Sequence, residues 1–193
     1  AVSACILQKD AKIGKIIGFY SVVFAAHTLL FFYSQQYFAD LGYNKVQISV
    51  IMLLVGGASC LGALVSEKMY RWFGKKCLIP ETVIIAAAIL CYGSGKAGVA
   101  AAALMCAGFA NAALYPIQSD SLNALIPSEQ RATLISVDSM CFSIVMIVLF
   151  PLAGALADRW GLKTVLLLLG VILLLFLLTV FCIEKESFSS DHS

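Results

Sequence analysis

From Val165 to Leu178 the chain carries no polar side chain; leucine, isoleucine, valine and phenylalanine run on with only Gly170 between them. A helix that is apolar all the way round has no face to offer to water, so its outer side needs an apolar solvent. With its flanks, 164–183, the run has about 20 residues, the length a helix needs to cross the hydrocarbon core of a bilayer at about 1.5 Å per residue. The whole chain shares the bias. Of its 193 residues 61% are hydrophobic and 12% charged, with a mean hydropathy of +0.95. A soluble domain of this length has too little interior to hide that much apolar surface.

Further apolar runs cover 16–37, 46–65, 77–92 and 97–119, and one more follows Arg131 and leaves through Pro151. Turn residues separate them: Asp40-Leu41-Gly42-Tyr43-Asn44-Lys45 after the first and Gly93-Ser94-Gly95-Lys96 after the third. Pro80 falls in the first turn of the third run, where its missing N–H costs nothing. The expected fold is an all-α membrane protein of six transmembrane helices, divided into a lead-in (1–15), the bundle (16–183) and a polar tail (184–193). Six crossings return the chain to the side it started from. With the ends inside, inner segments carry Lys9, Lys12, Lys15, Lys68, Arg71, Lys75, Lys76, Arg131 and Lys185, and outer loops carry only Lys45, Lys96, Arg159 and Lys163. That asymmetry favours cytoplasmic ends, and the expected location is the plasma membrane. The chain opens at Ala1 without methionine and is expected to be a piece of a longer protein, with the tail a genuine end.

The runs are not equivalent. The sixth is expected to face lipid, and the third, small and apolar beyond Glu81, to lie at the periphery with it. Polar residues gather on the first, fourth and fifth. Tyr20, His27, Phe31 and Ser34 share one face at helical spacing, with Gln35 beside them; Asn111, Tyr115 and Gln118 do the same; Ser136, Ser139 and Ser143 make a narrower stripe. Three polar faces imply a cavity on one side of the bundle, and the candidate binding residues are His27, Phe31, Gln35, Asn111, Tyr115, Gln118, Ser139 and Ser143. Plainer readings stand beside these. His27 fits equally a neutral histidine bonded to a neighbouring helix, and Asn111 an interhelical tie. Gly56, Gly57, Cys60 and Gly62 are expected to let helices approach closely.

The stretch from Leu122 to Lys163 carries a more specific pattern. Pro127 ends what precedes, Ser128 is placed to cap the next helix with Glu129 in its first turn, and Arg131-Ala132-Thr133 opens the apolar run. The run leaves by Gly154-Ala155-Leu156-Ala157-Asp158-Arg159-Trp160-Gly161, expected to be a tight polar exit. This order resembles the second-to-last helix of a major facilitator superfamily transporter. The family's loop between the second and third helices of a half also has a degenerate counterpart, from Gly62-Ala63-Leu64 to Arg71-Trp72-Phe73-Gly74-Lys75-Lys76, with its acid displaced to Glu67. The resemblance extends over nearly the whole chain. It implies the C-terminal half of a twelve-helix fold, whose first, second, fourth and fifth helices line a cavity shared with an N-terminal half. It also implies a secondary transporter moving a small molecule by alternating access, ion-coupled, with a proton as the candidate ion. Arg71, Lys75, Lys76, Arg131 and Asp138 are then the expected gating residues. Asp138 lies about 10 Å along its helix from Arg131, too far for direct contact, and needs another partner. No basic residue stands at mid-depth, which argues against a strongly anionic substrate and suits drug-like or neutral polar solutes.

Other classes fit less well. An intramembrane serine protease needs a nucleophile beside a histidine; Ser94, flanked by Gly93 and Gly95, lies in an outer turn, and the histidines are His27 and, in the tail, His192. His-Glu clusters for a membrane metalloenzyme are missing, and the seven cysteines are scattered without short-spaced pairs, so no metal, cofactor or disulfide framework is expected. A net charge of +2 without a basic patch excludes a nucleic-acid partner. The competing expectation is a non-transporting membrane subunit or sensor, which has no need of polar faces on three helices.

Overall fold

The computed structural model describes residues 11–73, 78–124 and 130–190, and within these the chain is helical without strands. The helices are α1 (Ala11–Asp40), α2 (Lys45–Phe73), α3 (Leu78–Cys91), α4 (Ala97–Asn123), α5 (Arg131–Trp160) and α6 (Leu162–Ser190), with a 3₁₀ turn at Tyr92–Ser94. All but α3 are long and apolar enough to cross a membrane. The expected spans are therefore present, but their limits need correction.

Among the described residues helix α3 has 14 residues, about 21 Å at 1.5 Å per residue. Its outer face is exposed at Val83, Ile84 and Ala87, and its inner face is packed. Thr82, Ile85, Ala86, Ile89 and Tyr92 are buried, because its small alanines let it sit between α4 and α6. The expected loop after the second span is helical as far as Phe73, so Lys68 and Arg71 ride on α2. The expected polar exit of the fifth span is also helical: Leu-Ala-Gly-Ala-Leu-Ala is strong enough in helix formers to carry α5 past Pro151 to Trp160. Gly161 alone makes the turn into α6, at φ +80°, a conformation costly for any residue with a Cβ. The Ser128 cap and the gating candidates Lys75 and Lys76 lie outside the described residues.

Helices α1 and α4 form the centre. On one flank α2 packs along α4; on the other α5 packs on α1 and α6, and α3 closes the back between α4 and α6. The α2–α4 contact is the tightest. A Cβ at Gly62 would overlap the Phe109 carbonyl, and one at Gly108 would come within 2.8 Å of Ser59 Oγ. Gly56 and Gly57, expected to share this role, face open space instead. Asn44 and Gln47 cap the start of α2 reciprocally, each side-chain oxygen accepting the other's backbone N–H at 2.9 Å. At the same end of the bundle Tyr37 donates to the Tyr92 carbonyl at 2.8 Å, tying α1 to the end of α3.

Candidate functional site

Near the end where α4 stops and α5 starts, these two helices are held apart. Ile13 and Ile17 of α1 wedge between them and form a small cluster with Leu122 of α4 and Leu134 and Val137 of α5. Above this floor lies a cavity of about 90 Å³, lined on α4 by Tyr115, Gln118, Ser119, Leu122 and Asn123 and on α5 by Leu134, Ile135, Asp138 and Ser139. The lining repeats at helical spacing on both sides, so each helix contributes one face.

Across the cavity Gln118, only 2% exposed, points its amide at Asp138; Nε2 donates to both carboxylate oxygens, each at 3.4 Å. The contact is long for an N–H···O hydrogen bond and is shared between two acceptors, so among the described residues most of the carboxylate's accepting capacity is unused. Asn123 Nδ2 lies 3.4 Å from Ser119 Oγ on the rim. Tyr115 is 61% exposed, and its ring lies 5.9 Å from that of Phe24 on α1. Phe24 continues through Tyr20 and Phe19 to Phe176 on α6, an aromatic row crossing the bundle from α6 to the cavity mouth.

Four of the expected binding or gating residues thus meet in one place: Tyr115, Gln118, Ser139 and Asp138. The partner that Asp138 needed comes from α4 and is an amide. Ser143 lies about one turn further along α5, exposed, and donates to the Ser139 carbonyl at 2.8 Å; Ser136 likewise donates to the Ala132 carbonyl at 3.0 Å. Such back-bonds satisfy a hydroxyl on its own helix. His27 and Asn111 stand about one helical turn beyond the Phe24–Tyr115 ring contact, at mid-depth. His27 Nε2 and Asn111 Oδ1 are both buried, and neither has a hydrogen-bond partner among the described residues. Phe31 is half-buried against the core and Gln35 is exposed near the opposite end of α1, so neither joins the cavity. Tyr20 and Ser34, on the same face as His27, are buried in helix packing. Arg71, in the last turn of α2, and Arg131, at the start of α5, are exposed.

Some functional detail escaped the sequence reading. Ser119 and Asn123 follow Tyr115 at four-residue steps, a periodicity that extends the α4 face and could have been found. Nothing local announces Tyr33, which donates to the Phe150 carbonyl at 3.0 Å beside Pro151. Gly154 leaves the room for it, since a Cβ there would lie 2.9 Å from the Tyr33 hydroxyl. A second cavity, about 380 Å³ between α2, α3 and α4, is lined by Ala58, Ile84, Met105, Cys106 and Phe109 and has no polar side chain to orient a solute. Ser94 accepts the Lys96 N–H at 3.3 Å in the 3₁₀ turn.

No curated protein and no solved structure matches the chain. A family model described as Major Facilitator Superfamily matches residues 82–191, which takes in the cavity helices α4 and α5 and leaves α1, α2 and the Gly62–Lys76 stretch outside. The match covers more than half of the chain and the helices are those of a multi-pass membrane protein, so the chain belongs to the Major Facilitator Superfamily and is a transporter of that family.

Proposed function

We propose that this chain is the C-terminal six-helix half of a secondary transporter of the plasma membrane, with both ends cytoplasmic. In this reading it moves a small molecule by alternating access, coupled to an ion such as a proton. The observation that carries the proposal is the cavity between α4 and α5. It joins a half-buried carboxylate, a buried amide and an exposed tyrosine at an end of the bundle flanked by two bare helices. Polar groups at such depth are costly in lipid and are tolerated where they face a watery path or each other.

The bare flanks of α2 and α5 supply the second element. Leu53, Leu61 and Leu64 on α2 and Met140, Ile144, Ile147 and Val148 on α5 are all exposed, and Gly56 and Gly57 leave α2 smooth enough for another helix to lie close. An N-terminal half covering both flanks completes the cavity, with His27 and Asn111 as mid-depth binding groups. Rocking of the halves then opens the Asp138 end and the Gln35 end in turn. Arg71 and Arg131, at the Asp138 end, serve the closing of that side, with Lys75 and Lys76 following Arg71 in the chain.

Sided labelling tests this. In vesicles of defined orientation, Ser139→Cys reacts with a membrane-impermeant thiol reagent from the cytoplasmic face and Gln35→Cys from the outer face. Alternating access makes the two anticorrelated, so that any substrate or ion gradient raising one lowers the other. Simultaneous steady labelling of both describes an open pore, and no labelling of Ser139→Cys under any condition favours a sensor or accessory subunit.

A further inference from the structure

We propose that the α4–α5 cavity binds the positively charged head of an organic cation, an amine or quaternary ammonium carrying hydrocarbon, with Asp138 as its counter-ion. The inference rests on reading this cavity as part of the transport path. Three observations converge on it. Among the described residues the Asp138 carboxylate accepts only the shared, 3.4 Å contact from Gln118 Nε2, where a carboxylate has about four lone-pair sites to fill. A charge at that depth with so little compensation calls for a cation. Beside it stands the exposed ring of Tyr115, held by Phe24, and an aromatic face attracts cations within about 6 Å. The remaining walls, Leu122, Leu134 and Ile135, are apolar and reward a ligand that brings hydrocarbon with its charge.

The alternatives use less of the site. A hard divalent metal ion favours a site rich in carboxylates, and this lining offers a single one, beside three hydroxyls and two amides among leucines and isoleucine. A proton alone leaves the tyrosine and the apolar walls without a role. At about 90 Å³ the cavity holds a headgroup rather than a whole drug-sized molecule, and the exposed edges of Tyr115, Ile135 and Ser139 leave the mouth open for the remainder. A consequence follows for gating. A substrate ammonium competes with any arginine or lysine that the partner half brings to Asp138 on closing, so occupancy and closure of this end oppose each other.

The test is equilibrium binding of benzyltrimethylammonium to the full-length protein in lipid nanodiscs, beside its uncharged carbon isostere neopentylbenzene. The expected result is a preference for the cation of at least about tenfold. That preference is lost in Asp138→Asn and largely kept in Asp138→Glu, and Tyr115→Leu weakens cation binding about two- to fivefold. Equal binding of cation and isostere to the unmodified protein overturns the proposal without any variant. So does absent cation binding while Tyr115→Cys still reacts with a water-soluble thiol reagent, a result that leaves the cavity standing as a polar path of other specificity. If Tyr115→Cys does not react either, the cavity reading itself falls, and the cation with it.

Discussion

The two central helices and the two flanking ones use their apolar residues in opposite ways. In α1 and α4, 44% of the membrane-crossing window is buried inside the protein; in α2 the share is 11%, and in α5 it is none. Yet α2 and α5 are the more hydrophobic pair by residue content. In water that order would be perverse. In a bilayer, hydrophobicity measures what a surface can tolerate outside, and burial follows small residues and shape instead. Helix α4 is buried through Ala100, Ala103, Ala107, Ala110 and Ala113, which let its neighbours approach closely, together with Leu104 and Leu114. The contrast also locates function: the polar cavity opens where a packed helix, α4, faces a bare one, α5.

The largest expected effect comes from attacking the packed side. Gly62→Leu drives a side chain into the Phe109 backbone, which cannot yield, and is expected to cost upwards of about 2 kcal/mol in detergent-induced unfolding. A small loss there would mean that α2 does not lie against α4 as described. Next comes the tie between a core helix and a bare one. Tyr33→Phe removes the hydrogen bond to the Phe150 carbonyl and is expected to lower stability by about 1 kcal/mol by the same measurement. No change would indicate that α5 is held by apolar packing on α1 and α6 alone. Smallest of all, measured on this six-helix chain without a partner half, is Gly57→Ala on the bare face of α2, where a Cβ meets nothing; its unfolding free energy is expected to stay within about 0.5 kcal/mol of the parent. A loss as large as that of Gly62→Leu would erase the distinction between the packed and bare faces of α2.

Much of this was legible in the sequence because the bilayer imposes a length and a periodicity on each crossing. The long spans, the polar face of α4 and the apolar character of α6 follow from such local rules. Helix ends were less legible: α2 and α5 continue well past their apolar cores, since residues such as Glu67, Lys68, Asp158 and Arg159 are content on a helix that has reached water. The packed face of α3 was not legible, because small size and low polarity describe a lipid-facing surface and a tightly packed one equally well. The pairing of Gln118 with Asp138 depends on the register between two helices that do not pack side by side, and no spacing within either one encodes it. The same holds for Tyr33 and Gly154, which are far apart in sequence and meet only because α5 lies along α1.

The central claim assigns three surfaces to three surroundings: the α6 face to lipid, the α5 flank to a second bundle and the α4–α5 cavity to water. Spin labels at Ile172, Ile147 and Ser139 of the full-length protein in lipid, read by collision with oxygen and with a water-soluble nickel chelate, separate these directly. The expected result is strong oxygen relaxation at Ile172, strong nickel relaxation at Ser139 and weak relaxation by both at Ile147. Oxygen relaxation at Ile147 equal to that at Ile172 would contradict a partner bundle on α5, and oxygen dominating at Ser139 would contradict the watery cavity.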